Sequence, residues 1–336
     1  MKPNVSIIIL NWNGWEDTIE CLESLYQIDY PNYNVIVVDN GSEDDSIEKI
    51  KEYCTGKIKV SSDFFEYDAT NKPIKIVEIT KKESELFSKI NGKFKKLILI
   101  KNDQNYGFAE GNNIGIRFAL SYLNTDYVLL LNNDTIVDRN FLSELVDIEE
   151  NENNVGILGP TIFYYNDKNR IQSAGVKISW KKGIAISLKR NKIFKDESNN
   201  INDVDAVSGC CLLAKSELFK KIGFLNSKYF LYWEETEWCI RTQKLGYRII
   251  HVPNAKIWHK VSATTNKSRG VYEFYMIRNM IWFMKEHAQN IHFLIFSIYL
   301  LIFRFWFISG SYIIHNRDYK AFFYSIKGLM YGFFED

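Results

Sequence analysis

The sequence predicts an α/β fold built on a mainly parallel sheet with helices on both faces. Three observations carry that expectation. Residues 5–10, 35–38, 97–100 and 127–131 are short, nearly unbroken apolar runs, as expected of strands buried on both faces. Stretches of helical periodicity lie between several of them, so successive strands are joined by right-handed crossovers and run parallel. Several of these runs end in Asn, Asp or Gly, the residues that turn a chain out of a sheet.

The 336 residues suffice for one large domain or two small ones with an ample core. Basic and acidic residues balance at 42 and 41, so no electrostatic footprint points to nucleic acid. Cys21, Cys54, Cys210, Cys211 and Cys239 are odd in number and lack metal-ligand spacing, which fits reduced thiols in the cytosol. The amino terminus lacks the basic leader and long apolar core of a signal peptide and is read as running into a first strand.

Strand 5–10 leads into the loop Asn11-Trp12-Asn13-Gly14, and a helix follows with Ile19, Leu22, Leu25 and Tyr26 on one face. Strand 35–39 ends at Asp39 and the turn Asn40-Gly41. Ser42 and Asp45 have the spacing of a capping box, which predicts a helix over 42–53. Residues 55–96 are polar and lysine-rich and read as an insertion. Strand 97–100, helix 107–123 and strand 127–131 complete the alternation. Asn132-Asn133-Asp134 then sets a carboxylate at the rim of the sheet, with hard oxygen atoms suited to Mg²⁺ or Mn²⁺ on a diphosphate. Asp39, residues 102–105 and residues 132–134 all fall at carboxyl ends of strands, the edge where open α/β sheets bind nucleotides. Residues 155–201 hold short strand-like pieces and a polar loop. A strand over 204–213, interrupted at Gly209, precedes a helix over 216–222.

The carboxyl end differs in kind. Residues 291–314 are almost wholly apolar, with Ser297, Arg304 and Ser311 seven apart as one thin polar stripe. A spanning helix would hold Arg304 at mid-bilayer, at a cost of about 2.5–3.5 kcal/mol. Lying in the membrane interface, or packing under the rest of the protein, avoids that cost. Phe322, Phe323, Tyr324, Phe333 and Phe334 among Lys320 and Lys327 favour the headgroup layer, while a bundle against the sheet or a dimer partner is the alternative.

The segments Val-Ser-Ile-Ile-Ile-Leu-Asn-Trp-Asn-Gly, Val-Val-Asp39-Asn-Gly-Ser, Asn105-Tyr-Gly-Phe-Ala-Glu-Gly-Asn-Asn113 and Leu-Leu-Asn-Asn-Asp134-Thr resemble family 2 glycosyltransferases of the GT-A (Rossmann-like) fold. Tyr229-Phe-Leu-Tyr-Trp-Glu-Glu-Thr-Glu-Trp-Cys-Ile-Arg241, His259 and Arg278-Asn279 extend the likeness, which is greatest to the rhamnosyltransferase-like branch. The resemblance implies an inverting, metal-dependent transferase using Mn²⁺ or Mg²⁺. Its donor would be a dTDP- or UDP-sugar such as a rhamnose donor, and its acceptor a glycan or lipid-linked saccharide in cell-surface polysaccharide assembly. A catalytic domain over 1–270 and a hydrophobic helical region over 271–336 are expected, peripheral at the cytoplasmic face of a membrane.

The same resemblance distributes roles. Asp39 would accept the base N3–H, with backbone groups around Leu10 and Asn11 completing the pocket. Asn105, Gly107 and Asn113 would line the nucleotide, although Gly107, Gly111 and Gly115 recur every four residues and equally fit close helix packing. Asn132 would contact ribose or a metal-bound water, Asn133 would belong to the nucleotide site, and Asp134 with His259 would hold the metal. Glu235 matches the general base, a Glu where the family usually has Asp; Glu234 is its competitor, and Glu237 fits the helix's first turn. Trp233, Arg278 and Asn279 are placed at the acceptor, or Arg278 and Asn279 simply hold the helix. A sugar nucleotidyltransferase would want a glycine-rich basic loop after the first strand, and a dinucleotide oxidoreductase a Gly-x-Gly-x-x-Gly; residues 11–14 supply neither. A membrane-associated scaffold without chemistry is the remaining alternative, against which Asp39, Asp134, Glu235 and His259 stand together.

Overall fold

The structure, a computed structural model, describes residues 2–86, 96–195, 200–260, 270–314 and 317–335. Along the first half run β1 (Val5–Asn11), α1 (Trp15–Leu25), β2 (Tyr33–Asp39), α2 (Ser46–Cys54), β3 (Lys75–Thr80), α3 (Lys81–Glu85), β4 (Lys96–Lys101), α4 (Gly107–Tyr122) and β5 (Tyr127–Asn132). Then come β6 (Thr135–Val137), α5 (Phe141–Asn151), β7 (Val155–Tyr164), β8 (Asp167–Ser173), β9 (Val176–Ser179), β10 (Ile184–Ser187), β11 (Asn202–Asp203) and β12 (Cys211–Lys215). The remainder is α6 (Ser216–Ile222), α7 (Glu234–Lys244), β13 (Arg248–His259), α8 (Val271–His287), α9 (Asn290–Tyr299), α10 (Phe305–Ile314) and α11 (Tyr319–Phe334).

The main sheet has the order β11-β13-β7-β12-β5-β1-β2-β4-β3. β5, β1, β2, β4 and β3 are mutually parallel, because a helix or long connection carries the chain back over the sheet between them. β12 enters antiparallel beside β5, and β7 and β13 extend the sheet beyond it. Apolar side chains cover both faces: α1, α2 and α5 pack on one through Leu22, Ile50 and Leu145, and α4, α6 and α7 on the other through Ile116, Phe219 and Trp238. The expected mainly parallel α/β sheet is therefore present.

Several local expectations need correction. Ser42 does not cap a helix; its hydroxyl is spent on Asp39, and α2 starts only at Ser46. The segment 55–96 is more than an insertion, since Lys75–Thr80 forms the edge strand β3, parallel to β4; residues 87–95 lie outside the described ones. Val155–Tyr164 is one ten-residue strand, and the strand expected over 204–213 starts at Cys211.

The carboxyl-terminal helices are joined to the rest through one core cluster. α8 buries Ile277, Met280, Ile281, Phe283 and Met284 against Tyr229, Trp233 and Ile240, so the expected boundary at 270 divides parts that share a core. α11 crosses α8 at Gly328 and Gly332, where a Cβ would meet the Phe274 backbone and Ile281. α9 and α10 continue each other through a π-helical turn at Leu300–Arg304, giving 25 residues long and apolar enough to cross a membrane by length and composition alone. The polar stripe lies largely in toward the protein. Arg304 Nη1 donates to the carbonyls of Lys182 and Gly183 at 3.1 and 3.2 Å, while Ser297 and Ser311 return their hydroxyls to their own helix.

The glycine period of α4 separates by position. Gly111 and Gly115 face β1, where a Cβ would lie 2.6 Å from Leu10 Cδ1 and 2.7 Å from Ile8 Cγ2. Gly107 sits at the sheet edge with φ of +79°. Replacing Gly115 with Val should therefore overpack the α4–β1 contact and cost about 1–3 kcal/mol in urea unfolding.

Candidate active site

A cleft of about 1100 Å³ runs along the carboxyl ends of β1, β2, β4 and β5. Leu10, Asn105, Gly107, Asn132, Asn133, Asp134, Glu234, Glu235 and His259 all border it, so nine residues singled out in the sequence converge there. The sheet brings them together because parallel strands release their turns at one edge.

Behind the wall lies a polar network that shapes it. Asp39 is 1% exposed and does not line the cleft. Its Oδ1 accepts from Asn11 Nδ2 at 2.8 Å and Ser42 Oγ at 2.6 Å, and its Oδ2 from the Ser42 N–H at 3.1 Å. The expected contact to a base thus meets a carboxylate already holding three donors, with spare acceptor capacity on Oδ2. Asn11 is likewise internal, and Asn113 is committed to the backbone of Leu225 through paired 2.8 and 3.1 Å hydrogen bonds.

Asn40, passed over in the sequence as a turn residue, ties this edge together. Its amide nitrogen donates to Asn105 Oδ1 and the Gly107 carbonyl, while its oxygen accepts from Asn102 Nδ2 and the Tyr106 N–H. Trp12, 37% exposed, and the aromatic rings of Tyr232, Tyr272, Phe274 and Tyr324 are further lining residues. Trp12 and Tyr232 lie in segments that carry the family resemblance, whereas Tyr272 and Phe274 were signalled only by aromatic enrichment and Tyr324 by its place among the carboxyl-terminal aromatics and lysines.

Asp134 and His259 meet because β6 pairs with the end of β13, setting His259 opposite Thr135. His259 Nε2 stands 3.2 Å from Asp134 Oδ1, and that oxygen takes no hydrogen bond. On the far side of the ring, Nδ1 lies 3.0 Å from Gln172 Oε1 and donates to it. A neutral imidazole so fixed points a lone pair at a carboxylate oxygen, an opposition relieved by a proton on Nε2 or by a cation between the two. Burial alone would raise the Asp134 carboxyl, but His259 and the nearby Lys260 hold it below the usual range. Carboxylate and imidazole with neighbouring amide oxygens suit Mn²⁺ or Mg²⁺, so these residues fit the expected ion.

Across the cleft, Glu234 and Glu235 begin α7. Gly209 leaves room for the second of them: a Cβ there would lie 3.2 Å from Glu235 Cγ. Glu234 is 3% exposed, and its Oε2 has no partner. Burial, then the neighbouring Glu235, pushes the Glu234 carboxyl well above its ordinary value; burial raises Glu235 too, against its backbone hydrogen bonds. Two such carboxyls cannot both ionise cheaply, and the deeper Glu234 keeps the proton. Glu237 points elsewhere, gripped by Arg241 through 2.6 and 2.9 Å hydrogen bonds.

The approach to Glu234 is strained. Phe230, Tyr232 and Trp233 have φ of 63°, 69° and 75°, the left-handed region that side-chain-bearing residues avoid. The buried Asn279 amide donates to the carbonyls of Tyr229, Leu231 and Tyr232 at 2.8–2.9 Å, and Arg278 Nη2 to those of Lys228 and Tyr229 at 3.0 Å. Arg278 and Asn279 therefore hold the loop from behind and do not border the cleft. Trp233, expected at the acceptor, is instead packed on Phe283 with ring centroids 5.0 Å apart.

The family model described as Glycosyl transferase family 2 matches residues 6–65 and 75–223. The low-salt glycan biosynthesis hexosyltransferase Agl10 of Haloferax volcanii is 24% identical over 280 residues, covering 82% of this chain and 73% of its own. The dTDP-rhamnosyl transferase RfbF of Shigella flexneri is 25% identical over 201 residues, 57% of this chain and 64% of its own. Among solved structures, the mannosyltransferase PcManGT of Pyrobaculum calidifontis, in complex with GDP-Man and Mn²⁺, superposes with a TM-score of 0.57 at 13% identity, over 100% of this chain and 88% of that one. That likeness is one of fold.

Replacing Asn279 with Leu would strip three buried carbonyls of their donor. The variant should lose about 1–3 kcal/mol in urea unfolding and become cleavable by protease within 228–233.

Proposed function

The chain belongs to glycosyl transferase family 2 and is a glycosyltransferase, and on that premise we propose an inverting, metal-dependent transfer of a hexosyl or deoxyhexosyl group from a nucleoside-diphosphate sugar. The observation that carries the reading is one cleft with the Asp134–His259 pair on one wall and the Glu234–Glu235 pair on another. The donor is read as a dTDP- or UDP-sugar, with rhamnose favoured by the names of relatives, and the acceptor as a glycan or lipid-linked saccharide of the cell surface. The carboxyl-terminal region is read as a peripheral anchor at the cytoplasmic face of a membrane.

Leu10, Trp12, Asn40, Asn105, Gly107 and Asn132 supply the nucleotide end, with Asp39 and Asn11 ordering the loops behind them. Asp134 and His259 would hold Mn²⁺ or Mg²⁺, which when bound neutralises charge gathering on the departing diphosphate. Glu235 takes the acceptor hydroxyl's proton as the sugar carbon is attacked on the face opposite the diphosphate. Its buried setting makes it a stronger base than a free carboxylate, and Glu234, kept protonated, adds no competing charge. Cys210 also borders the cleft, but burial pushes its thiol up to about 12, so it stays neutral and is no rival nucleophile.

Calorimetric titration with UDP, dTDP and GDP, each with and without Mn²⁺, tests the donor end: metal-dependent binding of UDP or dTDP is expected, and no binding of any would overturn the reading. Asp134→Ala should abolish that metal-dependent binding. Glu235→Gln should retain it while lowering turnover about 10²–10⁴-fold, the usual share of a general base. Because the base must be ionised and its pKa is raised, wild-type turnover should fall on acidification with a midpoint above the ordinary 4.5. A Glu235→Gln enzyme with near-normal turnover would move the role to Glu234.

A further inference from the structure

Residues 181–192 carry Lys181, Lys182, Lys189, Arg190 and Lys192 without one Asp or Glu, in a chain whose net charge is +1. All five side chains are exposed, and among the described residues none has a carboxylate within ion-pair distance. They sit on the β9–β10 hairpin and the loop after it, a two-stranded ribbon outside the main sheet.

The hairpin is seated on the apolar helix. Gly183 lies on the Phe296 ring with no room for a Cβ, and the carbonyls of Lys182 and Gly183 hold Arg304, while Trp180 stacks on Phe283 of the adjoining α8 with centroids 5.5 Å apart. Lys181 and Lys182 therefore stand beside the middle of 290–314, not beside an end. If that helix crossed a bilayer, it would drag two lysines and the unpaired outer edge of β10 into hydrocarbon, where open sheet edges do not occur. Lying flat, it presents Leu294, Ile298, Ile302, Phe303, Trp306 and Phe307, all exposed, to the acyl boundary, and the hairpin remains at headgroup level. The basic surface then continues round the cleft mouth, where Arg190 and, from α11, Lys327 are both lining residues.

We propose that the β9–β10 hairpin and its following loop form a binding surface for anionic lipid headgroups, which together with the flat apolar helix docks the protein on a negatively charged leaflet with the cleft mouth facing the headgroups. This rests on the membrane reading of the carboxyl-terminal region and adds a second, electrostatic contact from the middle of the chain. Polybasic segments gain about fivefold in partitioning per cation near such a surface, and the gain is screened by salt.

The test is co-flotation of the full chain with vesicles of phosphatidylcholine alone and of equimolar phosphatidylcholine and phosphatidylglycerol, at low and high salt. The wild type should prefer the anionic vesicles by about a hundredfold or more at low salt, and that preference should collapse at high salt. Replacing Lys181, Lys182, Lys189 and Lys192 together with Gln should remove most of the preference while leaving neutral-vesicle binding and metal-dependent nucleotide binding intact. If that variant folds poorly, the Lys181→Glu, Lys182→Glu pair in the turn makes the same comparison. Equal binding to both vesicles, or an anionic preference that survives the substitutions, overturns the hairpin surface alone. No binding to either vesicle overturns the membrane reading as well.

Discussion

The Asn279 amide is the contact on which the assembled site depends. It is fully buried, and its two N–H groups are shared among three carbonyls of the loop that delivers Glu234 and Glu235. That loop turns through left-handed conformations costing about 1–3 kcal/mol each for residues with side chains. Released from Asn279 it would relax toward ordinary backbone angles, and the start of α7 would swing with it. The carboxylates of one wall are thus positioned from α8, although the motif that contains them contacts the sheet through α7. The expected boundary between catalytic and carboxyl-terminal parts therefore separates this loop from the residue that holds it, within one shared core cluster.

The opposite wall is held by a different device. Parallel strands fix Asn132 and Asn133, but His259 arrives on β13, several strands away in the sheet order, and reaches Asp134 only because β6 folds across to pair with it. Gln172, on β8, then fixes the imidazole from its far side. Three separate connections must close before the carboxylate and the imidazole face each other, which gives a structural task to the short strand of three residues, unremarkable by composition, between Asp134 and α5.

Legibility followed burial and period. The strands ending at Asn11, Asp39 and Asn132 are readable because sheets covered on both faces leave continuous apolar runs, and the residues at their ends fall on one edge by the sequence alone. Asn40 was not, since an Asn-Gly pair after a strand is the ordinary signature of a turn, and its four hydrogen bonds join positions far apart in the sequence. Ser42 misled for a related reason: a short hydroxyl can serve a helix or a nearby carboxylate, and spacing cannot choose between them. β3 was hidden because an edge strand needs apolar residues on fewer sides. Arg278 and Asn279 were visible as polar residues amid aromatics, but which way they faced depended on the packing of α8.

Tyr324 and Lys327 border the cleft from α11, the last helix described, and Tyr324 also packs on Gly270 at the start of α8. The greasy tail is therefore also masonry. Trimming the chain after α8 to obtain a better-behaved sample would take away one side of the cleft and bare the groove of α8 that Gly328 and Gly332 fill. A shortened protein that expresses well and proves inert would report on a missing wall before it reported on the identity of the substrate.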